Sequence, residues 1–158
     1  MSTNAKIGIL YENKVKSVSC IKDGYLKSLG KNLYKYYNDI SKAEKLIENG
    51  DIVLVGEYIN KTEYLDKLKA KENELKKSIG DENFQKMKNL CNINFKIDGG
   101  ITEYIDDVID EFVQIDEYEN KEKYINTLLP WEECYLYIDS WYYLNADREF
   151  IKIGESDF

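Results

Sequence analysis

The chain begins and ends in strand-like alternation and keeps its helical periodicity in between, and this arrangement restricts the folds open to it. The opening "KIGILYENKVKSVSCI" alternates Ile7, Ile9 and Tyr11, then Val18 and Cys20, around a turn at Asn13-Lys14. The closing "EECYLYIDSWYYLNADREFIKI" predicts up to three short antiparallel strands, turning near Asp139-Ser140 and Asn145-Arg148. Strands at both ends with helices between them predict an α+β fold. Its sheet should be small and mostly antiparallel, made of the N-terminal hairpin and the C-terminal aromatic strands and covered by several helices.

Between those ends the pattern is helical. A helix is expected from about Ser28, burying Leu29, Leu33 and Tyr36. A second is expected behind the capping box Ser41/Glu44, with Gly50 just past its end. "DIVLVGEYI" reads as a buried strand or extended segment. From Thr62, Leu65, Leu68, Leu75 and Ile79 share a face up to Gly80, and Asp81 can cap a further helix carrying Phe84, Met87 and Leu90. "INFKI" reads as a short strand closed by Asp98-Gly99-Gly100. The 158 residues form one domain, 1–158, in which residues about 61–96 are a candidate helical insertion with a lysine-rich solvated face.

Residue types narrow the chemistry. The chain has no histidine, which removes the usual neutral-pH base, the Ser-His and Cys-His pairs and most transition-metal sites. Its one arginine, Arg148, offers little for bidentate phosphate recognition. Three widely spaced cysteines, Cys20, Cys91 and Cys134, lack a Cys-x-x-Cys pair and read as reduced, mostly buried thiols. No cofactor and no metal is expected. No apolar run approaches membrane-spanning length, and "MSTNAKIGIL" has no apolar segment of the kind a signal peptide carries, so a cytoplasmic protein is expected.

Net charge is −8, which disfavours nucleic acid or an anionic membrane as direct partner. Between Asp98 and Glu122 stand ten acidic residues and one lysine, a local −9 that leaves the rest of the chain at +1. After Thr102, a favourable N-cap, an amphipathic helix is expected. Ile101, Ile105, Val108, Ile109 and Phe112 would lie on one side and Glu103, Asp106, Asp107, Asp110 and Glu111 on the other. Along such a helix Glu103, Asp107 and Asp110 would stand about 6 Å and then about 4.5 Å apart, near the spacing of successive nucleic-acid phosphates. A solvated helix face explains the same residues. So does a docking surface for a basic partner. A divalent-cation site fits less well, because "DGGITEYIDDVID" lacks the ligand spacing of an EF-hand loop.

Asp23-Gly24-Tyr25 has two readings. As a turn, Asp satisfies nearby N–H groups, Gly accepts positive φ, and Tyr packs. As a ligand site, Asp23 would act as a general base with Tyr25 as proton donor. The aromatic set Trp131, Tyr135, Tyr137, Trp141, Tyr142 and Tyr143 divides by alternation into inward and outward side chains, with Tyr137 and Tyr142 as candidate contact anchors.

The residues "GILYENKVKSVSCIKDGYLKSLGKNLYKYYNDISKAEKLIENGDIVLVGE" and "CYLYIDSWYYLNADREFIKI" resemble a family of small proteins of phages, prophages and other mobile elements. The family pattern is an N-terminal hairpin, a Cys/Arg-x-x-Asp-Gly-Tyr corner, a glycine and a helix ending near a His-Tyr or Tyr-Tyr pair. A Lys-Ala-rich helix, "GD" and an aromatic C-terminal hairpin follow. The resemblance covers roughly 7–57 and 133–153. Asp23, Gly24, Tyr25 and Gly30 are kept, whereas Ile21-Lys22 and Leu26 replace the usual His-Trp and Pro. It implies a mobile-element protein in the cytoplasm of a bacterial host, with no established activity attached.

The function expected is therefore non-enzymatic. The protein would bind and inhibit a host nucleic-acid-handling defence complex, as an anti-CRISPR or similar inhibitor, through an acidic nucleic-acid-mimicking surface. Its partner would be a host protein with a basic surface. The alternative is a small-ligand or nucleotide-binding protein, or an enzyme, using the Asp23–Tyr25 corner.

Overall fold

The computed structural model describes residues 3–91, 100–105 and 115–158. Within them the chain is α+β and divides into two compact units, Met1–Gly56 with Thr102–Phe158, and Glu57–Ile101. The first unit carries the sheet. Strand β1 (Ala5–Tyr11) pairs antiparallel with β2 (Lys14–Cys20) across a two-residue turn, Glu12-Asn13, one residue earlier than the pattern suggested. Glu12 takes φ 57 there, the left-handed geometry a tight hairpin needs.

The chain then runs through a π-helical segment, Leu26–Gly30, into α1 (Lys31–Tyr36) and α2 (Ile40–Ile47), and on to β3 (Ile52–Leu54). After the second unit come β4 (Glu103–Tyr104), β5 (Asp116–Tyr118), a short helix (Lys121–Asn126), β6 (Glu133–Tyr137), β7 (Trp141–Leu144) and β8 (Phe150–Lys152). The strand order is β4-β3-β2-β1-β6-β7-β8, with β5 also on β2. Most pairings are antiparallel, as expected. Two are parallel, β1 with β6 and β2 with β3.

Register gives the sheet two different faces. Ala5, Ile7, Ile9, Val18, Tyr135, Tyr137 and Trp141 share one face by their pairings. Leu29, Leu33, Tyr37, Ala43, Leu46 and Ile47, from the π segment, α1, α2 and the link between them, are likewise buried. Trp141 is fully buried and donates its indole N–H to the Tyr37 carbonyl at 2.9 Å. The opposite face is smaller. It gathers Val15, Cys134 and Leu136 around Tyr124 of the Lys121–Asn126 helix, whose hydroxyl donates to the Tyr135 carbonyl at 2.9 Å. Gly8 makes room for that ring, because a Cβ there would meet Tyr124 Cζ and Val15 Cγ1 at 2.9 Å.

Three local expectations are corrected. Asp39, two residues before Ser41, caps α2, with its side chain accepting from Lys42 N at 2.8 Å. Asp39 holds extended backbone and Ser41 lies inside the helix, so the earlier residue is the one positioned to cap. Tyr37 is buried in place of Tyr36, because it continues the four-residue spacing of Leu29 and Leu33 on the buried side. Thr102 caps no helix. It is buried, accepts from Gly56 N at 2.9 Å and lies 3.1 Å from the Tyr37 hydroxyl, and Glu103–Tyr104 continue as strand β4 against β3.

The second unit holds α3 (Lys61–Ile79) and α4 (Asp81–Cys91). Asn60 caps α3 by accepting from Thr62 N at 2.8 Å, and Gly80 breaks the chain between the helices at φ 87. Leu68, Leu75 and Ile79 are half-buried, Leu65 is exposed, and Phe84 is buried under Lys76, whose ammonium lies 5.0 Å from its ring centroid. "INFKI" and the Asp98-Gly99 turn lie outside the described residues.

Candidate functional site

The Asp23-Gly24-Tyr25 corner spends its polar groups on the fold. Gly24 donates to Thr3 O at 2.8 Å and accepts the Tyr135 hydroxyl at 2.7 Å. Its α-carbon sits so close to β1 that a Cβ would meet Ala5 Cβ and Thr3 O at 2.7 Å. Asp23 turns the chain at φ 54, and the Tyr25 carbonyl accepts from Ser28 N and Leu29 N to start the π segment. The Asp23 and Tyr25 side chains are both exposed.

The acidic residues are only partly described. Asp106, Asp107, Asp110 and Glu111 lie outside the described residues. Glu103 lies on the exposed edge strand β4, so its place on a helix face is corrected. Tyr104 beside β3 and Asp116 beside β2 bracket the undescribed stretch on the same edge of the sheet. Asp116, Glu117, Glu119 and Glu122 follow, all exposed. Of these, Glu117 faces Lys14 at 3.7 Å and Glu119 meets Lys123 at 2.6 Å. Such exposed pairs contribute little to folding. The Lys123 ammonium also holds the Glu119 carboxyl below its usual range.

The two candidate tyrosine anchors separate. Tyr137 is 7 % exposed and packs edge-on against Trp141, with ring centroids 5.3 Å apart, so it is a core residue and its place as a contact anchor is corrected. Tyr142, on the other face, is half-exposed, and hydrogen bonding to Asp139 pushes its hydroxyl pKa up. Glu103 and Tyr142 stand five strands apart in the sheet order, roughly 24 Å at ordinary strand spacing. The described parts of the anticipated surface therefore do not converge.

A different feature stands out. Between the Lys121–Asn126 helix and β6 the chain makes a turn that exposes Leu129 at 47 % and Trp131 at 65 %. Glu132 holds the turn: its carboxylate accepts from Leu129 N at 2.9 Å, and its own N–H donates to Leu129 O at 3.0 Å. Pro130 between them fixes one φ. Alternation groups Trp131 with the hairpin aromatics, whereas here it stands on the turn before β6. Pro130, the only proline in the chain, was the available signal that the strand begins after it.

Among the described residues both cysteine thiols are withdrawn from solvent. Cys20 and Cys134 are buried free thiols, each pushed up to about 12 by burial. Burial also raises the Tyr124 and Tyr135 hydroxyls and the Glu133 carboxyl. Among the described residues no group of three or more His, Cys, Asp or Glu is placed to hold a metal ion, and no helix is long and apolar enough to cross a membrane. Comparison with models of known protein families, with curated proteins and with solved structures finds no match.

Proposed function

We propose that this chain is a non-enzymatic binding protein that docks on a basic surface of another protein and blocks it. The observation that carries the reading is the Leu129–Trp131 turn. A tryptophan that is 65 % exposed, on a backbone pinned from both sides by Glu132, is an ordered apolar anchor of the kind that dominates interfaces. The local −9 between Asp98 and Glu122 supplies the charge that would select a lysine- and arginine-rich partner and speed its capture. In its finer form the partner is a host nucleic-acid-handling defence complex, such as a CRISPR effector. Glu103, Asp106, Asp107, Asp110 and Glu111 then stand in for phosphates in its nucleic-acid channel. The resemblance to proteins of mobile elements supports that form.

The test is capture from host lysate by the wild-type chain, by Trp131→Ala and by the triple charge reversal of Asp106, Asp107 and Asp110 to lysine. A basic nucleic-acid-binding protein should be captured, displaced by added duplex DNA and lost with either variant. Undiminished capture by the triple reversal would rule the acidic surface out, and undiminished capture by Trp131→Ala would rule out the anchor.

A further inference from the structure

On the smaller face of the sheet, a cleft of about 450 Å³ opens between the Lys121–Asn126 helix, which we label α5, and the β7–β8 hairpin. Lys121, Glu122, Ile125 and Asn126 line it from α5, one side of a short helix, and Arg148 and Phe150 line it from the hairpin. Its charge runs against the rest of the molecule. Among the described residues that line it, it gathers the chain's one arginine and a lysine against one carboxylate, Glu122, in a protein of net charge −8. Neither Lys121 nor Arg148 forms an ion pair with any described residue, whereas lysines 14, 42, 86 and 123 do.

The backbone that carries Arg148 is tightly specified. Asn145 accepts Arg148 N through its carbonyl at 3.1 Å and Glu149 N through its side chain at 2.9 Å, and Asn145 N returns a bond to Glu149 O at 2.9 Å. Arg148 sits at φ 61, where glycine would rest without strain. A bulky cationic side chain lining the cleft is thus carried on a strained backbone. Ile125 and Phe150, both half-buried, provide the cleft's apolar lining.

We infer that this cleft binds a small anion joined to an aromatic or other flat apolar group. The volume falls within the range of small-ligand sites. These two cations, without an ion pair among the described residues, would hold a phosphate or carboxylate by charge-assisted hydrogen bonds, with the guanidinium able to engage two oxygens at once. Phe150 and Ile125 would cover the ring, and the Asn126 amide can accept or donate at its edge. The site is separate from the Leu129–Trp131 anchor and from the Asp23 corner, and it stands whether or not the proposed docking function does.

The test is titration of the full chain, followed by amide NMR, with phenyl phosphate, phenylacetate, inorganic phosphate and benzyl alcohol. The two aromatic anions separate a phosphate ligand from a carboxylate one. At least one should shift the amides of Ile125, Asn126, Arg148 and Glu149 saturably and bind about tenfold more tightly than inorganic phosphate. Benzyl alcohol should leave them unmoved. Arg148→Gly should weaken binding by about tenfold or more while raising the melting temperature, since it removes the cation and relieves the left-handed strain together. Lys121→Ala should weaken it with the melting temperature unchanged. Silence from both aromatic anions, equal binding of inorganic phosphate, or full binding by Arg148→Gly would each overturn the assignment.

Discussion

Two connections in the first unit invert each other. At Asp23-Gly24-Tyr25, where β2 passes to the π segment, the Gly24 N–H goes to Thr3 just ahead of β1, the Gly24 carbonyl to the Tyr135 hydroxyl of β6, and the Tyr25 carbonyl to the segment that follows. At Leu129-Pro130-Trp131, where α5 passes to β6, the turn is closed by its own Glu132, and its two large apolar side chains are left in water. The first corner is conspicuous in sequence because its chemistry is demanding. The second is inconspicuous because nothing in the fold depends on it. A residue that structure does not require is a better place to look for function than a residue that structure explains completely.

The sharpest way to break this contrast is Gly24→Ala. The added methyl would meet Ala5 Cβ and Thr3 O at 2.7 Å, and the contact with a backbone oxygen cannot be relieved by a rotamer change. A loss of about 2–3 kcal/mol is expected, read from the urea midpoint. If the variant is as stable as the parent, the corner is not the tight structural joint described here. Tyr135→Phe comes next, removing only the hydroxyl that donates to Gly24 O at 2.7 Å. About 1–2 kcal/mol should be lost, because a buried carbonyl is left without that partner. In the Gly24→Ala background the loss should shrink, since both changes act on one joint.

How far the sequence carried depended on whether a local pattern had one physical solution. The C-terminal hairpins were legible because alternation and turn residues at Asp139-Ser140 and Asn145-Arg148 left one register that buries Trp141. Gly50 and Gly80, at φ 86 and 87, were legible as helix stops for the same reason. Thr102 was not. A threonine before an acidic, periodic stretch is an N-cap by local rules, yet its hydroxyl is used by Gly56 and Tyr37, residues distant in sequence. Tyr137 failed in a related way. Alternation says that every second aromatic faces out, but here both faces of β6 are covered, so position in the strand no longer decides exposure. Of the candidate surface, Tyr142 was found accessible and Glu103 exposed on a strand. Trp131 shares the aromatic character of the hairpin strands, yet Pro130 before it keeps it outside β6.

A third effect is carried by pH and bears on the closed interior of the sheet. Burial raises Cys20 and Cys134 from 9.0 to about 12 in the folded chain. A folded-state pKa above the unfolded value favours folding fully below the unfolded pKa. That contribution is lost as pH rises through the interval, here from near 9 toward 12. Stability should therefore fall above pH 9 by at most about 1.4 kcal/mol per pH unit for each thiol. The double variant Cys20→Ser, Cys134→Ser should delay the onset to near 10, where Tyr124 and Tyr135 ionise in the unfolded chain while burial holds them protonated in the folded one. Urea midpoints measured from pH 8 to 11 decide this, and a flat profile up to pH 10 would contradict the withdrawn thiols.

The smallest stability effect belongs to the exposed turn, and its smallness is the point. Trp131→Ala removes a side chain that contributes little to burial, so the urea midpoint should move by no more than about 0.5 kcal/mol. The chain has two tryptophans, and they sit at opposite extremes, Trp131 at 65 % exposure and Trp141 at 0 %. Their fluorescence separates the two kinds of site without any partner present. The parent should show a red-shifted, iodide-quenchable component, and Trp131→Ala should leave only blue-shifted emission that iodide does not reach. Trp141→Phe should keep the quenchable component and lose stability, since it removes the indole that donates to Tyr37 O at 2.9 Å. Emission from Trp131 that is already blue-shifted and shielded in the isolated chain would mean that the turn is covered within its own fold. The contrast between a spent corner and a free one would then collapse.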